Sequence, residues 1–160
     1  WVVIPHTESR WSELKRDSSK QIMEKYNINI VEGYIETDNF SHIGKYDVIV
    51  LAQVMEHLIF NPVNTFKKLA DLMEDGGRIF VSVPEEVFRY NVQNYHEMPW
   101  PDELLPEERE RRKLINAFGH FHEYSYAEAL EVFQESGLEC IFHKWTHPIH
   151  HFMLRKADPS

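Results

Sequence analysis

Residues 45–58 read Lys45-Tyr46-Asp47-Val48-Ile49-Val50-Leu51-Ala52-Gln53-Val54-Met55-Glu56-His57-Leu58. Tyr46 to Leu51 is a short run, rich in apolar and β-branched side chains and too short for a helix, which predicts a strand covered on both faces. Gln53, Glu56 and His57 follow just past its carboxyl end. In an open α/β sheet ligands bind in the crevice outside the carboxyl ends of the strands, so this polar cluster is where function is expected.

Working outward, Trp1-Val2-Val3-Ile4 reads as a strand broken by Pro5, and Thr7 or Ser9 can cap a helix over about residues 10–26. Ile28 to Val31 reads as a short strand closed by Gly33. Asn61 and Pro62 form a cap and a first helical position, after which Val63, Phe66, Leu69, Ala70 and Met73 make one apolar stripe that Gly76 is expected to terminate. Arg78 to Val83 is the next strand. Over residues 85–119 the pattern loosens around Pro99, Trp100 and Pro101, and a charged helix starts at Pro106 and runs towards Phe118. So long an insertion after a central strand is often functional, and it can form a lid. Ser125-Tyr126-Ala127-Glu128 is a capping box for a helix that Gly137 ends, and two strands close the chain near residues 138–143 and 149–155. Strands alternating with helices imply an α/β domain with a mostly parallel sheet and helices on both faces.

With 160 residues the chain can bury one core, so a single domain over 1–160 is expected. A formal charge of -9 with scattered Lys and Arg offers no basic face for phosphates, so nucleic acid is not an expected partner. One cysteine, Cys140, cannot form an internal disulfide, and no apolar run reaches the length of a membrane span; a cytoplasmic setting without membrane is the expectation. The abrupt opening on Trp1 reads as a truncated start.

The stretch from Tyr46 resembles the fourth-strand region of class I S-adenosylmethionine-dependent methyltransferases of the small-molecule type, which often read Tyr/Phe-Asp-Val-Ile, a few residues, then Glu-His-Leu. The likeness continues through Phe66-Lys67-Lys68-Leu69, Glu74-Asp75-Gly76-Gly77, Arg78 to Pro84 and His120-Phe121-His122-Glu123-Tyr124-Ser125, covering about residues 28–156. It implies a Rossmann-like domain, possession of S-adenosylmethionine as cofactor, and methyl transfer to an oxygen, nitrogen or carbon of a small-molecule acceptor. The family's glycine-rich cofactor loop is not visible. Either Trp1 to Ile4 is the family's second strand, with the first strand upstream, or it stands in the first strand's place and Pro5 to Ser9 is a degenerate loop. The passage Glu32-Gly33-Tyr34-Ile35-Glu36 into Tyr46-Asp47 resembles the third-to-fourth strand and favours the former.

By that resemblance Ile35, through its backbone, and Glu36 border adenine, while Ala52 and Gln53 face the methionine end of the cofactor. Glu36 can equally be a solvated loop carboxylate. Glu56, His57, His120 and His122 are the catalytic candidates, since a carboxylate beside an imidazole can remove a proton from an acceptor hydroxyl. Some members of the superfamily hold a divalent ion through Glu-x-x-Glu-His and a later histidine. Here Gln53 replaces the first glutamate, which weakens such a site, and no metal is expected. Tyr90, Tyr95, Trp100 and Phe118 can form an aromatic lid or can pack the insertion onto the domain. His143, His147, His150 and His151 suggest a metal cluster, but adjacent strand residues point to opposite faces, so His150 and His151 cannot serve one site. The rival functional reading is a non-catalytic remnant acting as a binding or scaffolding subunit.

Overall fold

The computed structural model describes residues 2–4, 21–85, 92–115 and 119–158, and the chain divides into two compact units, Trp1–Asn39 and Phe40–Ser160. In the first unit Val2–Ile4 (β1) pairs in parallel with Ile30–Glu32 (β2), and residues 21–25 are helical. The remainder of the helix expected over residues 10–26, and the Pro5 to Ser9 stretch, lie outside the described residues.

In the second unit Tyr46–Ala52 (β3), Met73–Pro84 (β4), Leu138–Thr146 (β5) and Ile149–Lys156 (β6) form a sheet in the order β3-β4-β6-β5. β3 and β4 are parallel; β6 runs antiparallel to both β4 and β5. A parallel pair needs a crossover, and Pro62–Asp71 (α1) supplies it between β3 and β4. Pro106–Ile115 (α2) follows β4, and Tyr126–Glu135 (α3) precedes β5. The fold is α/β and Rossmann-like, a mixed sheet flanked by helices, in which both antiparallel pairings are made by the last strand, β6.

Local chemistry sets the helix starts. Asn61 Oδ1 accepts from Val63 N at 3.0 Å with Pro62 in the first turn, and Ser125 Oγ accepts from Glu128 N at 3.2 Å. α1 ends at Asp71 rather than near Gly76, because Met73 already pairs with Tyr46 in the sheet. The two glycines instead occupy a bulged start of β4: Gly76 has φ 81°, and a Cβ on Gly77 would lie 3.0 Å from the carbonyl oxygens of Tyr46 and Glu74.

Alternation along the strands sorts the core. Ile79, Val81 and Val83 of β4 and Phe152 and Leu154 of β6 are buried, and Phe133 of α3 meets Phe152 edge-on at 5.2 Å and Phe66 of α1 at 5.1 Å. The opposite face carries Val50, Phe80, Met153 and Phe142 in one cross-strand row. Val48 and Val50 are 55% and 65% exposed, so β3, expected to be covered on both faces, is open on one. A continuous apolar run does not say how many sides are covered. α1 and α3 pack together on the buried side.

The insertion is partly core. Tyr95 and Met98 are buried; Tyr95 N donates to Glu128 Oε1 at 2.9 Å, and its hydroxyl donates to Glu135 at 2.8 Å. Burial, with that carboxylate, raises the phenol well above its ordinary range. Tyr95, a candidate lid aromatic, therefore packs the insertion down; Tyr90 and Phe118 lie outside the described residues.

His150 faces the buried side beside Val83, and His151 faces the other side, where it meets Thr146 Oγ1 at 2.6 Å. His150 Nδ1 and His143 Nε2 are 3.0 Å apart under Tyr126. Burial lowers both imidazoles below the usual 6.5; each also feels His151, His150 also feels His143, and Glu85 opposes the shift at His150. A histidine whose folded value is lowered contributes stability that is complete above its unfolded value and is lost as pH falls through the folded one. Thermal melts from pH 7.5 to 5 should therefore drop less steeply for His150→Gln than for the parent chain. Parallel slopes would show that the pair does not titrate against folding.

Candidate active site

β3 delivers the chain to a corner at Gln53. Its φ is 54°, a left-handed conformation uncommon outside glycine, Asn and Asp. Gln53 N donates to Ser82 O at 2.9 Å, which extends the β3–β4 ladder by one residue, and its exposed amide lies 3.4 Å from Ser82 Oγ. Ala52 beside it is exposed and small. Past the corner, the 3₁₀ turn Met55–His57 buries Met55 in the core and Glu56 at 1% exposure, while the His57 side chain stays 45% exposed.

The segment 119–122 is stitched to this turn by backbone. Phe121 N and His122 N donate to Glu56 O at 2.6 and 3.2 Å, and His57 Nδ1 donates to Gly119 O at 2.8 Å. A carbonyl only accepts, so His57 carries its proton on Nδ1 and its lone pair on Nε2. Nε2 lies 4.0 Å from Glu56 Oε1. The His57 and His120 rings meet edge to face at 5.0 Å, and His120 Nδ1 donates to the buried Glu123 carboxylate at 2.8 Å. Among the described residues the Glu56 carboxylate has no hydrogen-bond partner outside its own residue. Burial pushes its carboxyl above the usual carboxylate range, against the lowering effects of its own backbone N–H, His57 and His120.

Of the four catalytic candidates, the structure brings Glu56, His57 and His120 together. His122 is elsewhere: it is fully buried, with Nε2 2.8 Å from Glu128 Oε1 and its ring edge-on to Tyr124 at 4.6 Å. Of the cofactor candidates, Ala52 and Gln53 stand at the end of β3. Ile35 and Glu36 belong to the first unit, half-buried in a turn that Asp38 closes by accepting from Tyr34 N at 2.9 Å. Two participants escaped sequence reading, the Gly119 carbonyl and Glu123. The spacing His120-x-x-Glu123 was the available signal for the second.

The sequence profile of a methyltransferase-domain family matches residues 5–143. Ubiquinone biosynthesis O-methyltransferases of Shewanella pealeana and Shewanella halifaxensis are 28% and 29% identical over 79 residues, 49% of this chain and 33% of theirs. The chain thus spans about a third of the length of these curated relatives. Among solved structures, an S-adenosylmethionine-dependent methyltransferase from Clostridium acetobutylicum superposes with a TM-score of 0.60 at 9% identity, over 92% of this chain and 73% of that one. An O-methyltransferase of neocarzinostatin biosynthesis, in complex with S-adenosylhomocysteine and 1,4-dihydroxy-2-naphthoic acid, gives 0.59 at 16% identity, over 97% and 41%. At these identities the likeness concerns the fold. No helix among the described residues is long and apolar enough to cross a membrane.

Proposed function

Given that this chain belongs to the methyltransferase-domain family, we propose that it transfers a methyl group from S-adenosylmethionine to a hydroxyl oxygen of a small-molecule acceptor, which is ionised at Glu56, His57 and His120. The observation that carries this reading is the convergence of those three side chains one turn beyond the carboxyl end of β3. The relatives described as O-methyltransferases support oxygen over nitrogen or carbon.

The bound cofactor supplies a methyl group on a sulfonium, so the protein contributes mainly alignment and removal of the acceptor's proton. Ala52 leaves room at the rim of β3, and the exposed Gln53 amide can donate and accept towards an amino-acid group, so these two residues fit the methionine end. His57 Nε2 takes the hydroxyl proton while its Nδ1–H stays on Gly119 O, and Glu56, 4.0 Å away, offsets the charge of the imidazolium. His120, held by Glu123, flanks the same position. His122 acts as a positioning residue that fixes the segment behind them.

Titration calorimetry with S-adenosylhomocysteine tests the premise. Saturable heat with one site per chain is expected, and Gln53→Ala should weaken it. Absence of heat or of any thermal shift would favour the reading of a binding or scaffolding subunit.

A further inference from the structure

We propose that Tyr126 and Trp145 clasp a flat, uncharged aromatic ring of the acceptor beside His150, at the carboxyl end of β5. The inference deepens the functional reading above and rests on it for the identity of the ligand as a methyl acceptor. β5 runs antiparallel to β6, and β6 antiparallel to β4, so β5 points the same way as β3 and β4. Thr146 therefore ends its strand at the same rim as Gln53 and Glu85, where an open α/β sheet holds its ligands.

Trp145 pairs across the ladder with His150, so both side chains leave the same face, the one that also carries His143 and Phe152. Tyr126, in the first turn of α3, lies over that face, its ring 4.5 Å from His143, 6.0 Å from His150 and within 12° of parallel to Phe152. Tyr126 is 43% exposed and Trp145 49%. The ring contact of Trp145 is with His147 at 5.4 Å and not with Tyr126. Two half-exposed aromatic rings that share a buried imidazole as neighbour, but do not touch each other, leave a slot. A flat ring entering it covers apolar area on both and stacks on their faces. The corner is fixed beforehand: Glu85 N donates to Pro148 O at 2.6 Å, tying the β5–β6 turn to the end of β4, and His150 Nδ1 and His143 Nε2 are 3.0 Å apart. Little affinity is then lost to ordering the slot on binding.

Charge and distance restrict the ring further. Burial holds both imidazoles below the usual 6.5, so neither offers an anion a positive charge at pH 7.5, and the carboxylate that His150 senses, Glu85, repels one. An uncharged ring fits; a carboxylated ring does not. With strands about 4.8 Å apart, β6 and β5 stand two and three places from β3, roughly 10–14 Å along the rim. The segment that begins at Gly119, tied to His57, leads to Tyr126 at the start of α3. An acceptor ionised at His57 reaches the slot only when about that distance separates its hydroxyl from its flat ring. The acceptor is therefore an extended molecule, longer than a single phenol ring.

The test is calorimetric titration of the whole chain with 2-naphthol, with its puckered decahydro analogue and with 2-naphthoate, for the parent, Tyr126→Ala, Trp145→Ala, Trp145→Phe and Phe142→Ala. One 2-naphthol per chain is expected, bound about five- to tenfold more weakly by Tyr126→Ala and Trp145→Ala. Trp145→Phe, which keeps a flat ring, and Phe142→Ala, on the opposite face of β5, should bind as the parent does. The puckered and the anionic compounds should bind the parent more weakly than 2-naphthol. No 2-naphthol binding, unchanged affinity in either alanine variant of the slot, no recovery in Trp145→Phe, equal loss in Phe142→Ala, or equal binding of either comparison compound would overturn the slot. Circular dichroism checks that each variant is folded. Trp145 is half-exposed, so its two variants carry the test should Tyr126→Ala unfold. S-adenosylhomocysteine titrated into the same proteins separates the two proposals. Cofactor heat without a 2-naphthol site sinks only the slot. The expected 2-naphthol pattern without cofactor heat sinks the methyl-transfer reading and leaves a ring-binding site standing.

Discussion

His57→Ala lowers the turnover of methyl transfer by about 10²- to 10⁴-fold, the range for loss of a positioned general base, while the melting temperature moves little. The side chain is 45% exposed and its ring contact is with His120, so truncation opens no core cavity. The backbone bonds from Phe121 N and His122 N to Glu56 O do not involve the imidazole and keep the 119–122 segment in place. Release of S-adenosylhomocysteine from a panel of phenolic acceptors, measured under saturating cofactor, gives the turnover. The KM for cofactor should be nearly unchanged, because Ala52 and Gln53 are untouched. A variant that turns over at the parent rate would remove His57 from the chemistry and leave it as a tie to Gly119.

His122→Ala has the opposite profile, a loss of about 3–5 kcal/mol in folding stability, as expected when one partner of a buried ionisable pair is removed. His122 is fully buried, and its departure takes one of its partners from the Glu128 carboxylate, which also receives Tyr95 N at 2.9 Å. Both the insertion and the start of α3 are held at that carboxylate. Urea unfolding followed by circular dichroism measures the effect, and the double variant His122→Leu with Glu128→Leu should recover part of it, since no buried charge is then left alone. A stable His122→Ala chain with impaired turnover would instead place this imidazole among the catalytic groups.

The two variants separate what the sequence could and could not announce. A strand at Tyr46 to Ala52 followed by polar residues was legible because both signals are local: a short apolar run, then a change of polarity at its end. The starts of α1 and α3 were legible for the same reason, since the Asn61 and Ser125 caps act within three residues. Distant partners were not. His120 and His122 are two positions apart and chemically identical, yet one reaches His57 and the other Glu128. Which does which depends on how their segment meets the turn at Glu56, more than sixty residues earlier. Glu128 likewise reads as half of a capping box, whereas its carboxylate is taken up by Tyr95 and His122. The end of α1 was misplaced because sheet pairing at Met73 overrides the stop offered by Gly76. The open face of β3 could not be read at all, since Val48 and Val50 are as apolar as a covered row would be.

The corner at Gln53 sets two demands against each other. An L-residue held at φ 54° carries a backbone penalty on the order of 1 kcal/mol that glycine would escape. A glycine corner would form more easily, yet it would leave the rim of the strand with no amide to offer. At this position firmness of the scaffold and recognition of a ligand cannot both be maximal, and the chain has kept the side group.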